Sequence, residues 1–145
     1  MLRLLRYSLL IIFVTSFTGC KNKFKYPKDL KTGVYEVSAL YKYPNDSNVT
    51  ETLNYLGPQK DQSSLIFTYS DNGFSKTFWI REVEGDTPTI RFQISDLNSG
   101  NTSLVNCSFE TIEHKKNFLN IKFQMTSQQG VSGFESGELT LKKVQ

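Results

Sequence analysis

Few side chains in this sequence could act as a nucleophile, a general base or a soft metal ligand. The chain has one histidine, His114, and two cysteines, Cys20 and Cys107, among its 145 residues. Covalent catalysis needs a nucleophile beside a base that a third group orients. The charged segment Glu113–Lys116 predicts an exposed turn, so we expect His114 to be solvated and not to serve as a base.

The sequence gives equally little support to metal or phosphate chemistry. One histidine and one unpaired cysteine do not make up the usual ligand sets of zinc and other transition metals. Glu82, Glu84 and Asp86 cluster at a predicted turn, but three neighbouring residues supply too few oxygen ligands for calcium. There is also no glycine-rich phosphate loop before a helix and no Gly-x-Ser-x-Gly elbow. The sequence therefore predicts no catalytic residue, no metal site and no cofactor.

Cys20 has the most specific sequence context of any residue in the chain. Arg3 and Arg6 precede the uncharged stretch Tyr7–Gly19, which is shorter than the about 20 residues of a membrane-spanning helix. A positive start, a short apolar segment and small residues before a cut site are typical of a secretory signal. We therefore predict a cleaved signal peptide over residues 1–19.

The residues Phe17, Thr18, Gly19 and Cys20 resemble the lipobox of bacterial lipoproteins, in which leucine usually stands at the position of Phe17. This resemblance implies a diacylglyceryl group on the Cys20 thiol, cleavage after Gly19 and acylation of the new amino group, for instance with palmitate. Lys21 follows the cysteine, and similarity to enteric lipoproteins then implies the outer membrane, facing the periplasm. The alternative is an ordinary secretory signal followed by a coincidental cysteine.

A lysine-rich segment over residues 20–32 is the predicted tether between the lipid and the folded domain. The segment contains five lysines and a single acidic residue, Asp29. Lysines beside an anionic membrane contribute about 1 kcal/mol each to binding. A solvated linker explains the same composition equally well.

Composition limits the class of protein further. Arg3 and Arg6 account for two of the 17 basic residues, so the remaining 15 nearly balance the 14 acidic ones. This balance argues against a nucleic-acid partner, which requires a strongly basic face. If lipid occupies Cys20, then Cys107 has no disulfide partner, and we expect it to be a small buried residue.

From residue 33 to residue 145 the side chains alternate with a period of two, which is typical of half-buried strands. The clearest example is Ile90–Ser95, and about eight such runs follow one another. Turn residues separate them, for instance at Asp71–Gly73, where asparagine and glycine accept positive φ. Between the last two runs we expect a flexible loop rich in serine, glutamine and glycine over residues 126–133.

Consecutive strands of this kind predict an all-β domain over residues 33–145. We expect an up-and-down antiparallel barrel of about eight strands, with a two-sheet β-sandwich as the alternative. The opening residues Gly33, Val34 and Tyr35 resemble the first strand of lipocalin-like domains in envelope lipoproteins, where tryptophan ordinarily stands at the position of Tyr35. The resemblance implies the barrel architecture and identifies no binding residue.

Aromatic residues make up 13% of the chain and must be placed within this architecture. An eight-stranded barrel either fills its interior with side chains or holds one small ligand. The alternation predicts seven large inward rings, which favour a filled interior: Tyr35, Tyr41, Phe67, Tyr69, Phe92, Phe109 and Phe123. Trp79 is expected on the opposite, outer face, where an exposed aromatic residue can anchor a partner.

These features favour a lipid-anchored, non-catalytic binding or interaction module of the bacterial cell envelope. It would attach to the membrane through Cys20 and recognise an unidentified envelope protein or a small apolar ligand. The alternative is a lipocalin-like carrier of a small apolar molecule, and an envelope hydrolase is a remote third hypothesis. The sequence does not indicate which residues bind the ligand.

Overall fold

The computed structural model describes residues 30–61, 64–83, 85–130 and 133–145. The predicted signal peptide, Cys20 and most of the predicted tether lie outside these residues. Among the described residues we find no helix with the length and hydropathy needed to cross a membrane. The secondary structure consists of eight strands: β1 (Gly33–Lys42), β2 (Asn48–Lys60), β3 (Leu65–Asp71), β4 (Phe74–Arg81), β5 (Thr89–Asp96), β6 (Thr102–Lys115), β7 (Phe118–Gln129) and β8 (Ser136–Lys143).

Each strand pairs antiparallel with the next one in the sequence, and β8 pairs with β1. The sheet therefore closes into an up-and-down barrel, which confirms the predicted architecture over the two-sheet sandwich. Closure leaves few of the exposed strand edges that invite aggregation.

Local turn chemistry fixes the register of the central hairpin. Asp71 lies opposite Phe74, and the two residues between them, Asn72 and Gly73, have φ values of 42° and 86°. Positive φ at both central residues gives a turn whose twist matches that of the flanking strands. The predicted turn at Asp71–Gly73 is thus confirmed.

The pairing register directs alternate side chains of every strand into the barrel. Phe78 of β4 lies between Phe67 of β3 and Phe92 of β5, and all three rings are buried. The seven aromatic residues predicted to face inward all belong to the core or pack against it: Tyr35, Tyr41, Phe67, Tyr69, Phe92, Phe109 and Phe123.

Ring contacts run through the interior from one side of the barrel to the other. The centroids of Tyr35 and Phe67 are 5.3 Å apart, and those of Phe67 and Phe78 are 4.9 Å apart. Phe92 continues the series, at 6.2 Å from Phe78 and 5.0 Å from Phe123. Such offset and tilted pairs are favourable beyond the area that they bury. The interior is filled with side chains along this series.

Two apolar side chains from outside the strands pack against opposite ends of this core. Leu30 is buried at the end where β1 begins, which we call the tether end, and Lys31 N beside it donates to Asn117 Oδ1 at 3.1 Å. Phe134 is buried at the other end, which we call the far end, with its ring centroid 4.9 Å from that of Tyr41. Each end of the core is therefore covered in part by a large side chain from outside the strands.

The structure differs from the sequence-based prediction in the segment before β8. The expected loop over residues 126–133 is wrong in its first part, because β7 continues to Gln129. Residue pairs such as Asn106 with Ser127 extend the ladder there, and the register shifts between Asn106 and Cys107, where Thr126 of β7 is the extra residue of a bulge. A bulge lets a strand bend without losing its partner. Leu30, which lies in the predicted tether, packs in the core.

Candidate functional site

A groove of about 420 Å³ on the outer wall of the barrel, which we call the Trp79 groove, is the candidate binding site. Trp79 of β4 lies opposite Ile66 of β3 and Arg91 of β5. Its neighbours along β4, Phe78 and Ile80, point into the core. Trp79 therefore faces outward and is partly exposed, which confirms the placement predicted from the sequence.

The polar lining of the groove comes from strands that the barrel brings side by side. Arg91 of β5 lies opposite Asn106 of β6, and Arg91 Nε donates to Asn106 Oδ1 at 2.8 Å. The two terminal amino groups of Arg91 have no hydrogen-bond partner among the described residues. Arg91 is exposed, and the hydrogen bond from its Nε to Asn106 orients the guanidinium, so these two amino groups are the donors that face a ligand.

Further lining residues come from a loop and from a bent strand. The connection between β2 and β3 contributes Asp61 and Ser64, and Asp61 N donates to Ser64 O at 3.0 Å. Thr126 of β7 lines the groove as well, and its hydroxyl donates to Asn106 O at 3.0 Å. Thr126 is itself the extra residue of a bulge in β7, opposite the step from Asn106 to Cys107 in β6. The concavity therefore coincides with a local bend of the wall.

A second arginine, Arg81, also lines the groove. Its Nη2 lies 4.0 Å from Asp86 Oδ2, and both side chains are more than half exposed. A long, solvated pair of this kind contributes little stability. Arg81 can therefore turn toward a ligand at small cost.

A larger groove of about 500 Å³ lies on another part of the wall, over β6, β7 and β8. Its exposed lining is charged and of mixed sign, for instance Lys42, Lys122 and Glu110. The aromatic residues that border it, Phe109 and Phe123, belong to the core. The described residues that line this groove consequently include no outward ring that could anchor a ligand.

An ion pair lies inside the barrel wall toward the far end. Lys76 of β4 lies between the inward residues Tyr69 and Ile94, and Glu51 of β2 lies opposite the buried Ala39. The Lys76 ammonium contacts the Glu51 carboxylate, and their side chains are 23% and 26% exposed. The two opposite charges therefore compensate each other in a partly desolvated environment.

Tyrosine hydroxyls lie in the electrostatic field of this ion pair. Burial raises the pKa of Tyr41 above its ordinary value, and the negative charge of Glu51 adds to the effect. Burial likewise raises the pKa of Tyr55, with smaller contributions from Tyr41 and Glu51. Both phenols therefore remain protonated at neutral pH and can donate hydrogen bonds.

The residues singled out for possible catalysis lie apart in the structure. Cys107 is fully buried, and burial raises the pKa of its thiol to about 12, so the thiolate needed for nucleophilic attack is suppressed. His114 is exposed, as expected, although it belongs to β6 and precedes the turn.

The predicted carboxylate cluster is only partly described. Glu82 is half-buried and Asp86 is exposed, while Glu84 lies outside the described residues. Among the residues that the structure does describe, no three His, Cys, Asp or Glu side chains group closely enough to hold a metal ion.

Comparison of the chain with known protein families, with curated proteins and with solved structures finds no match. The features of the molecule that bear on its function are therefore the Trp79 groove, the packing of the interior and the sequence around Cys20.

Sequence reasoning identified Trp79 as an outward residue but missed Arg91 and Asn106. Each of these occupies an outer position of an alternating strand, which the sequence does show. Their meeting depends on the register between β4, β5 and β6, which a single sequence does not reveal.

Proposed function

We propose that this protein is a lipid-anchored bacterial envelope lipoprotein that acts as a non-catalytic binding module, and that it binds its ligand in the Trp79 groove. The observation that carries the proposal is the presence of an indole and a positioned guanidinium fork in one concave site. Tryptophan and arginine are enriched among the residues that carry most of the binding energy at protein interfaces. The groove volume also falls within the roughly 300–1,000 Å³ of typical ligand sites.

The lipobox resemblance around Cys20 supports attachment to the membrane. In the structure the chain enters the barrel at Leu30, beside the β6–β7 turn, while the groove lies on the wall formed by β4 to β7 and the β2–β3 connection. Two or more acyl chains give firm attachment, in contrast to one chain.

Fractionation of a bacterial host tests the anchor. We expect the full-length protein in the membrane fraction, released by detergent, and the Cys20→Ala variant in the soluble fraction with an unchanged fold. Trp79→Ala serves as the matched control, since it alters the groove and should leave the distribution unchanged. Membrane retention of Cys20→Ala would contradict the proposed attachment.

A carrier of a small apolar ligand is the second candidate. The barrel architecture favours it, as do the protonated hydroxyls of Tyr41 and Tyr55 near the Glu51–Lys76 pair. The continuous ring contacts of the interior argue against it, because an apolar ligand would have to displace Phe134 to enter from the far end. A saturable rise in thermal stability with a fatty acid, abolished in a Phe134→Trp variant, would favour this carrier.

A further inference from the structure

We propose that the Trp79 groove binds an acidic saccharide, a sugar ring that carries one carboxylate. The inference rests on the proposed function and assigns the ligand class of that same groove. The sugar ring would lie against the Trp79 indole, and its carboxylate would meet the terminal amino groups of Arg91.

The indole supplies the surface for the ring. Trp79 is partly exposed and has Ile66 and Arg91 as its cross-strand neighbours. An aromatic plane with apolar and polar neighbours suits a pyranose, whose CH face is apolar and whose rim carries hydroxyl groups. A flexible aliphatic chain would leave the polar neighbours without partners, which costs binding energy.

The guanidinium of Arg91 supplies the site for the carboxylate. Because its Nε is already bound to Asn106 Oδ1, the plane of the guanidinium is oriented before a ligand arrives. Arginine binds carboxylates through two parallel hydrogen bonds from its planar fork. Prior orientation lowers the entropy that binding must overcome.

Neutral polar groups beside this fork match the hydroxyls of a sugar. Asn106 Nδ2 donates to Ser127 Oγ at 3.0 Å, so the amide is held from both of its ends. Ser64 and Thr89 also line the groove, and hydroxyl groups both donate and accept hydrogen bonds. A saccharide can use several of these groups at once.

The charge of the lining indicates a single negative charge on the ligand. Among the described lining residues, Arg81 and Arg91 are positive and Asp61 is negative; Arg81 has Asp86 within 4.0 Å, which leaves Arg91 as the lining cation for a ligand to neutralise. One carboxylate balances this charge. A neutral sugar would leave the Arg91 amino groups without an anionic partner, and a dianionic phosphate would bring an excess of negative charge toward Asp61.

Tryptophan fluorescence tests the inference directly, since Trp79 is the only tryptophan in the sequence. The full-length lipoprotein in detergent is titrated with a glucuronate-containing disaccharide, up to about 10 mM, ten times a weak Kd of about 1 mM. We expect a saturable change in Trp79 emission. The corresponding glucose disaccharide should bind at least about tenfold more weakly, as should the Arg91→Ala variant toward the acidic sugar.

Lys122→Ala, in the other groove, is the matched control and should keep the affinity within about twofold. The inference is overturned if the neutral and acidic disaccharides bind equally, or if Arg91→Ala binds the acidic disaccharide as well as the original protein does.

A dipeptide with a free carboxyl terminus separates the saccharide inference from the proposed binding function of the groove. If the dipeptide binds in an Arg91-dependent manner and the sugar does not, the saccharide is wrong but the groove remains a binding site. If neither probe binds, the saccharide inference fails, and the membrane fractionation still tests the anchor independently.

Discussion

The Lys76 ammonium and the Glu51 carboxylate form an ion pair within the barrel wall, and they join two strands that are not neighbours in the sheet. The β2–β3 ladder starts at the pair Leu56–Thr68, and the described residues before Leu56 in β2 pair with β1. The ion pair therefore links β2 to β4 beyond the point where β3 connects them.

Replacing Lys76 with methionine should destabilise the fold, because it leaves the partly buried Glu51 carboxylate without its partner. We expect a loss of about 1–2 kcal/mol in the free energy of unfolding, measured by urea denaturation. A double-mutant cycle with Glu51→Gln should give a coupling energy of about 1 kcal/mol. The surface pair of Lys115 with Glu113 is the control, since its side chains are 70% and 43% exposed. If Lys115→Met lowers the free energy of unfolding as much as Lys76→Met does, the partial burial of the Lys76–Glu51 pair has no energetic role.

Tyr35 should hold the segment before β1 against the barrel. Its hydroxyl donates to Lys31 O at 2.7 Å, next to the buried Leu30. We expect Tyr35→Phe to cost about 1 kcal/mol and to speed hydrogen exchange of the Lys31 amide. Tyr69→Phe is the comparison, because the Tyr69 hydroxyl makes an exposed bond of 3.3 Å to Asp71 and its loss should change little. An unchanged exchange rate at Lys31 in Tyr35→Phe would contradict this role.

Cys107 should make the fold sensitive to alkaline pH. Burial raises the pKa of its thiol from 9.0 to about 12, so the unfolded chain releases this proton at lower pH than the folded protein. The contribution of Cys107 is fully present below about pH 9 and is lost as the pH rises toward 12, because the unfolded state then binds fewer protons. Its slope cannot exceed about 1.4 kcal/mol per pH unit, the limit for one proton.

Denaturation at several pH values checks the Cys107 prediction. The Cys107→Ala variant should lose stability less steeply above pH 9 than the original protein. Tyr41 and Tyr55 titrate in both proteins, so the difference in slope isolates the thiol. Identical slopes would show that Cys107 is not desolvated in the folded state.

Phe134 should stabilise the far end by covering the core. Its ring lies 4.9 Å from Tyr41, 5.6 Å from Phe92 and 5.7 Å from Phe123, measured between centroids. We expect Phe134→Ala to cost about 3–5 kcal/mol, since it removes a buried ring and leaves a cavity. Leu97, which is 63% exposed, is the control, and Leu97→Ala should be nearly neutral. If Phe134→Ala leaves the free energy of unfolding unchanged, the Phe134 ring does not stabilise the core.

Much of the barrel could be predicted because its physical causes are local. Alternation in β5 puts Ile90 and Phe92 on one face, and Asn72 with Gly73 determines a tight turn. Short connections between such strands favour pairing of sequence neighbours. The alternation, the tight turn and the short connections together predict the eight strands and their inward rings.

The remaining features depend on contacts between distant parts of the chain. Leu30 and Phe134 are single apolar residues outside any periodic run, so no pattern marks them as buried. Glu51 occupies an inward position of β2, which is understandable only once Lys76 is found two strands away. The groove likewise requires the register that brings Arg91 next to Trp79.

Mass spectrometry of the native protein, extracted from bacterial membranes, tests the central claim most directly. Lipid attachment at Cys20 predicts a chain that begins at this residue, with a diacylglyceryl group on the sulfur and a further acyl chain on the amino group. A free thiol at Cys20, or a chain that still carries residues 1–19, would contradict it.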